Sequence, residues 1–133
     1  MPAKILIVDD DAALRKILRM TLVPVCEVLE ASDGPEALRL IKAEKPRLIL
    51  LDITMPEMGG IEVLQKARLI DPSLIVLMLT GSNDLDVAKR ALENGALAYI
   101  TKPFEPDSLR SEVQRLLAVD NDRPSDRPWR VRP

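Results

Sequence analysis

Five short apolar runs punctuate the chain: "KILIV" at 4–8, "CEVLE" at 26–30, "RLILL" at 47–51, "LIVLML" at 74–79 and "LAYI" at 97–100. Each is followed by a segment whose apolar residues return at helical spacing. This alternation constrains the fold most, because repeated strand–helix–strand units close as parallel strands with helices packed on the sheet. After the first run, Leu14, Ile17, Leu18 and Leu22 recur at i, i+3, i+4 and i+8, with Asp11 at the N-cap position. After the second, Gly34-Pro35 opens a helix through Ala37, Leu38 and Ile41, and Pro46 stops it. The third helix begins near Gly60, carries Ile61, Val63, Leu64, Ala67 and Leu69, and ends at "DPS". The fourth covers about 85–94, with Leu85, Ala88, Ala91 and Leu92 on one side and Gly95 as its C′ residue. The fifth starts at Pro106 and shows Leu109, Val113, Leu116 and Leu117.

The first, third and fourth runs are continuously apolar, as strands covered on both faces must be. "CEVLE" alternates, which suits an edge. At 133 residues the chain has the size of one ordinary domain. From Asp120 onward "DNDRPSDRPWRVRP" has no period, so residues 1–119 are expected to form the domain and 120–133 a disordered tail or linker. In doubly wound sheets, ligands bind beyond the carboxyl ends of the strands, where strand order reverses.

The unusual residues fall at those ends. Asp9 and Asp10 follow the first run, Asp52 the third, Thr80 the fourth and Lys102 the fifth, while the second ends in Glu30. If the first, third, fourth and fifth runs are neighbours, three carboxylates, a hydroxyl and one ammonium converge. Two carboxylates ~4 Å apart repel by about 4 kcal/mol at an effective dielectric near 20, and one lysine does not neutralise three. Either a carboxylate is protonated or a cation is bound. The chain has no histidine, which excludes Ser-His-Asp and Cys-His catalysis and His-ligated zinc. An all-oxygen donor set suits Mg²⁺, or Mn²⁺. Such an ion beside Lys102 and Thr80 makes a site for a phosphoryl group that a carboxylate can attack.

Other functions are disfavoured by composition. The net charge of −2 and only three aromatics, Tyr99, Phe104 and Trp129, give no direct nucleic-acid footprint. No apolar run reaches the ~18 residues of a membrane span, and no signal peptide precedes "AKILIVDD". The single Cys26, expected to be a small buried hydrophobe, cannot form an internal disulfide, which fits a cytoplasmic location.

"ILIVDDD", "LILLDITMPEMGG", "LIVLMLTG" and "AYITKPF", in this order, resemble the receiver domain of bacterial two-component response regulators over about residues 1–118. The resemblance implies a flavodoxin-like doubly wound α/β fold with five parallel strands in the order 2-1-3-4-5 and five helices. It further implies Asp52 as phosphoacceptor, Asp9, Asp10, Asp52 and the Thr54 carbonyl as the Mg²⁺ site, and Lys102 as the contact to phosphoryl oxygens. Pro103 would follow a cis peptide. Thr80 and Tyr99 would form the switch, reporting phosphorylation on the surface of the fourth helix, fifth strand and fifth helix. Gly59 stands where the family more usually has Asp or Asn. Implied partners are a sensor histidine kinase or phosphotransfer protein, a downstream effector protein, and a second copy in a phosphorylation-dependent homodimer. Kinase specificity would involve Leu14, Arg15, Leu18 and Arg19 and the loop after the fifth strand. Thr54 and Ser82 match positions that tune the hydrolysis rate.

Two other functions are compatible with parts of the sequence. Asp9-x-Asp11 has the spacing of a haloacid-dehalogenase-type phosphatase, although the chain is short for one and Asp52 would have no role. A non-phosphorylated pseudo-receiver binding module has the same fold, but here every expected site position is filled. Asp11 is read as a helix cap, and Tyr99 alone would be an aromatic packed at a strand end. Output is expected through protein–protein contacts, as a single-domain receiver. Since Asp52 adds to the carboxylate crowding, Asp52→Asn should leave the metal-free protein at least as stable as wild type in denaturant unfolding. A clear loss of stability would contradict the crowding.

Overall fold

The computed structural model describes residues 3–53, 59–81 and 85–118. Strands β1 (Lys4–Val8), β2 (Glu27–Ala31), β3 (Leu48–Asp52), β4 (Ile75–Gly81) and β5 (Ala98–Lys102) alternate with helices α1 (Ala12–Leu22), α2 (Gly34–Glu44), α3 (Gly60–Ile70), α4 (Leu85–Glu93) and α5 (Pro106–Leu117). All strand pairs are parallel, in the order β2-β1-β3-β4-β5. The reversal of order therefore lies between β1 and β3. The expected strand order holds, and "CEVLE" is an edge, shifted by one residue so that Cys26 is buried just before β2.

Strand periodicity divides the core into two layers. Ile5, Ile7, Leu48, Leu50, Ile75, Leu77 and Leu79 pack with Leu18 and Leu22 of α1 and with Leu109, Val113 and Leu116 of α5. Leu6, Val8, Ile49, Leu51, Val76 and Met78 pack on the opposite side with Ala37, Ile41, Val63, Leu64, Ala67 and Ala91 from α2, α3 and α4. A central strand buried on both faces needs an apolar residue at every position, which is why β1, β3 and β4 read as unbroken runs.

Two helical positions differ from the sequence expectation. Ile17 is 51% exposed and Leu69 is 84% exposed. On α1 the buried stripe runs through Leu18, Thr21 and Leu22. Thr21 can occupy it because its hydroxyl donates to the Ile17 carbonyl (2.9 Å), so no polar atom is stranded. Leu69, two residues past Ala67, falls off the α3 stripe of Val63, Leu64 and Ala67.

The helix ends are set locally. The Asp11 carboxylate accepts from Ala13 N–H (2.9 Å) and Leu14 N–H (3.2 Å), capping α1. Asp33 caps α2 through Glu36 N–H (2.8 Å), and Glu36 reaches back to Ser32 N–H (2.9 Å). α4 ends in a Schellman motif: Ala96 N–H donates to Ala91 O and Gly95 N–H to Leu92 O, with Gly95 at φ +109°.

Gly60 has a tighter constraint than any cap. A Cβ there would lie 2.5 Å from the Asp52 carbonyl oxygen, 2.7 Å from Ile53 Cα and 2.9 Å from Ile53 O. The first turn of α3 is thus pressed directly onto the end of β3, and Gly60 N–H donates to Ile53 O (2.9 Å). All three neighbours are backbone atoms, so a side chain cannot be accommodated by a rotamer change. Gly60→Ala is expected to cost about 1–3 kcal/mol in urea unfolding, the range of an overpacked site. Gly59, whose Cβ would meet nothing within 4 Å, serves as the control. There Ala is expected to change stability by less than about 1 kcal/mol, because chain-entropy gain and a slightly poorer cap oppose each other. Equal effects at both positions would contradict the close approach.

Candidate functional site

The strand register assembles the site. Val8 pairs with Leu51 across β1 and β3, so Asp9 and Asp52 leave adjacent strands at the same level. The ladder continues past the strand ends, with Asp9 N–H donating to Ala31 O (3.2 Å) and Ile53 N–H to Leu79 O (3.0 Å). Asp52 continues the alternation of Leu48 and Leu50, and Lys102 that of Ala98 and Ile100, so both point to the α1/α5 side of the sheet. Lys102 starts two strands away from Asp52, ~10 Å across the sheet, and its four-carbon stem spans that gap.

One carboxylate oxygen from each of Asp9, Asp10 and Asp52 lies within 4.8 Å of the others. Asp9 and Asp52 are buried and Asp10 is exposed. The Lys102 ammonium stands 3.7 Å from Asp9 Oδ2 and 3.6 Å from Asp52 Oδ1. These are ion-pair distances, longer than hydrogen bonds. Asp9 Oδ1 accepts from Asp11 N–H (2.9 Å), while Asp9 Oδ2 is buried and has no hydrogen-bond partner among the described residues. A buried carboxylate oxygen in that state costs free energy unless something positive or protic meets it.

The Asp9 carboxyl responds to this environment. Burial pushes its pKa from 3.8 up to about 6; the Asp11 N–H pulls it down, Asp52 pushes it up, and Lys102 and Asp10 act in opposite senses with smaller effect. An orphaned oxygen, three carboxylates and oxygen-only donors suit a hard divalent cation of the Mg²⁺ type, which takes one or two carboxylates and retains water. The residues present therefore fit such an ion.

Thr80 is buried in β4, one residue beyond the Leu79 that pairs with Asp52, and its hydroxyl donates to Gly81 O (3.2 Å). Tyr99 pairs in register with Met78 and is 37% exposed, so its ring is not in the core. The Lys102–Pro103 peptide is cis, as expected. Thr54, Ser82 and residues 120–133, Trp129 included, lie outside the described residues. Leu18, expected on a kinase-facing surface, is instead fully buried. Sequence reasoning did not single out Gly60, which presses on the Asp52 backbone, or the turning of Arg15 toward Asp9. A glycine opening a helix beside a functional strand end is a legible signal for the first; nothing in the spacing signals the second.

The chain matches the family model described as "Response regulator receiver domain" over residues 5–114. It is 35% identical to "Sporulation initiation phosphotransferase F" of Bacillus subtilis, over 92% of this chain and 99% of that protein. It is 38% identical to "Response regulator MprA" of Mycolicibacterium vanbaalenii, covering 88% of this chain but 51% of the relative. It thus spans nearly all of one relative and about half of several transcriptional regulators. Among solved structures, the receiver domain of NtrX from Brucella abortus superimposes with a TM-score of 0.82 at 33% identity, covering 85% of this chain and 97% of that one. A CheY-like receiver domain protein from Methanospirillum hungatei gives 0.83 at 36% identity, covering 88% and 94%.

The raised Asp9 pKa has a definite consequence for stability. The metal-free fold holds the Asp9 proton more tightly than the unfolded chain does. That contribution is complete below about 3.8 and is lost as pH rises through about 6. Measured by urea unfolding in a chelator, Asp9→Asn should gain stability relative to wild type as pH rises across that window. Asparagine keeps an oxygen for Asp11 N–H and carries no charge. A difference between the two proteins that stays constant with pH would contradict the assignment.

Proposed function

This chain belongs to the response regulator receiver domain family, a family of phosphorylation-based signalling, and on that premise we propose that Asp52 is its phosphoacceptor. The observation that supports this most is the environment of Asp52: a buried carboxylate beside those of Asp9 and Asp10, with Lys102 3.6 Å away. Asp9, Asp10 and Asp52, with the carbonyl of Thr54, would hold Mg²⁺, Mn²⁺ being an alternative. When bound, the ion offsets negative charge on the cluster and on a phosphoryl group. Lys102 contacts the phosphoryl oxygens. An Asp52 oxygen attacks phosphorus in line, forming an acyl phosphate as the donor's phosphorus–nitrogen bond breaks, and water later hydrolyses the product.

Thr80 and Tyr99 are proposed as the switch. The acyl phosphate adds acceptor oxygens near the end of β4. The Thr80 hydroxyl, which donates to its neighbour Gly81 O, exchanges that weak partner for a phosphoryl oxygen. Tyr99 and Thr80 lie on the same face of the sheet, by their register with Met78 and Thr101. The half-exposed Tyr99 ring then turns inward, changing the α4–β5–α5 surface seen by a partner. Receiver domains of the family act with kinases and effectors. For this chain the donor is proposed to be a sensor histidine kinase or phosphotransfer protein. The output is proposed to be a contact with an effector protein or a phosphorylation-dependent homodimer, with residues 1–119 as the receiver. Among the described residues no helix is long and apolar enough to cross a membrane, and a cytoplasmic site of action is proposed.

The dehalogenase-type alternative would place Asp9 and Asp11 together in the site. The Asp11 carboxylate is instead engaged as the α1 cap, which disfavours it. Incubation with acetyl phosphate and Mg²⁺ should add one phosphoryl group by intact mass. Asp52→Asn should add none, and Lys102→Ala should slow the addition by ~10²-fold, the usual effect of removing one charge-stabilising donor. A beryllofluoride adduct should show density on Asp52. Density on Asp9 would favour the phosphatase, and a folded wild type that is never phosphorylated would favour a pure binding module.

A further inference from the structure

Arg15 is a surface residue by sequence pattern, yet its side chain is only 17% exposed. Its Nη1 donates to the Asp9 carbonyl oxygen at 2.6 Å, and its Nε donates to Glu30 Oε1 at 3.2 Å. The other oxygen of Glu30 accepts from Arg19 Nη1 (3.1 Å), which also donates to Val28 O (3.2 Å). Glu30 is thus held at both oxygens, and it holds Arg15 in turn. The Asp9 residue is pinned at three points: its N–H on Ala31 O, its carbonyl on Arg15, and Oδ1 on Asp11 N–H. The atom left over is Oδ2, which faces Lys102 and the other carboxylates.

We propose that Arg15 is a positioning residue for the cation site, and that Glu30 acts through it. The guanidinium fixes the peptide joining Asp9 to Asp10, so that both carboxylates are presented to the ion in a set direction. A planar fork with donors on two edges bridges a carboxylate and a carbonyl in a fixed geometry, which a compact ammonium with rotatable donors reproduces only in part. Short hydrogen bonds to a charged donor are the stronger kind. Residues one step behind a metal ligand commonly tune affinity about 10- to 100-fold. This inference rests on the proposed Mg²⁺ site, and it assigns a role inside the domain to a side chain otherwise grouped with the kinase-facing surface.

Charge and positioning predict opposite signs here. Removing a cation near three carboxylates should, by Coulomb attraction alone, tighten Mg²⁺ binding. Loss of positioning should weaken it. The test is Mg²⁺ titration of the full chain by calorimetry or amide NMR shifts, with metal-free melting measured in parallel. Arg15→Met, which retains the apolar stem, should bind Mg²⁺ ~10-fold more weakly than wild type. Arg15→Lys should fall between the two, and it carries the same comparison if Arg15→Met does not fold. Glu30→Gln should weaken binding, but should add nothing in the Arg15→Met background, because it acts through Arg15. Unchanged or tighter Mg²⁺ binding in Arg15→Met and Arg15→Lys, whatever their melting temperatures, would overturn the inference. So would a full additional loss in the double variant. A wild type that binds no Mg²⁺ would instead overturn the proposed site itself.

Discussion

Mutual repulsion of carboxylates at the end of a buried sheet is the constraint on which the rest of this structure depends. Asp9, Asp10 and Asp52 bring ligand oxygens within 4.8 Å of one another, and the Lys102 ammonium stands 3.7 Å from Asp9 and 3.6 Å from Asp52. At such distances the repulsion of one pair is about 4 kcal/mol for an effective dielectric near 20, comparable with the net stability of a small domain. The surrounding apolar layers hold the cluster in place, and burial first, with a smaller push from Asp52, drives the Asp9 carboxyl up to about 6, its Oδ2 unpartnered among the described residues. A site strained in this way is complementary to a divalent cation, and a cation held there is complementary to a phosphoryl group.

The sheet is what makes the crowding reproducible. Parallel register sets the ends of β1 and β3 level with each other at the reversal of strand order, and the alternation of each strand sends Asp52 and Lys102 to the same side. The approach of α3 at Gly60 and the clamp of Arg15 on the Asp9 carbonyl then fix the backbone on both sides of the cluster. Thr80 and Tyr99 sit on the other face of the last two strands.

Most of the fold was legible because hydrophobic period and strand-end chemistry are local properties. Unbroken apolar runs announce doubly covered strands, alternation announced β2 as an edge, and Asp11 before an apolar-periodic segment announced a cap. Asp9, Asp10, Asp52 and Lys102 were legible as a group because each follows a strand, and parallel order makes strand ends neighbours. What was not legible depends on how elements cross. Ile17 and Leu69 carry the right hydrophobicity but lie beside the contact stripes, while Thr21 is buried because its hydroxyl finds a carbonyl of its own helix. Leu18 is core, as its place on the apolar stripe of α1 indicated, and not part of the kinase-facing surface that the family resemblance implied. Gly60 and Arg15 act through distances to backbone atoms remote in sequence, Asp52 O and Asp9 O, and no periodicity encodes a distance.

The central claim is that the carboxylate cluster exists to hold one divalent cation. Anomalous scattering from crystals of the protein equilibrated with Mn²⁺ tests it most directly, since Mn²⁺ takes the same oxygen donors as Mg²⁺. One strong peak bounded by the carboxylates of Asp9, Asp10 and Asp52 is the predicted result. Saturating Mn²⁺ with no density there, or with density only at other acidic side chains, would contradict the account.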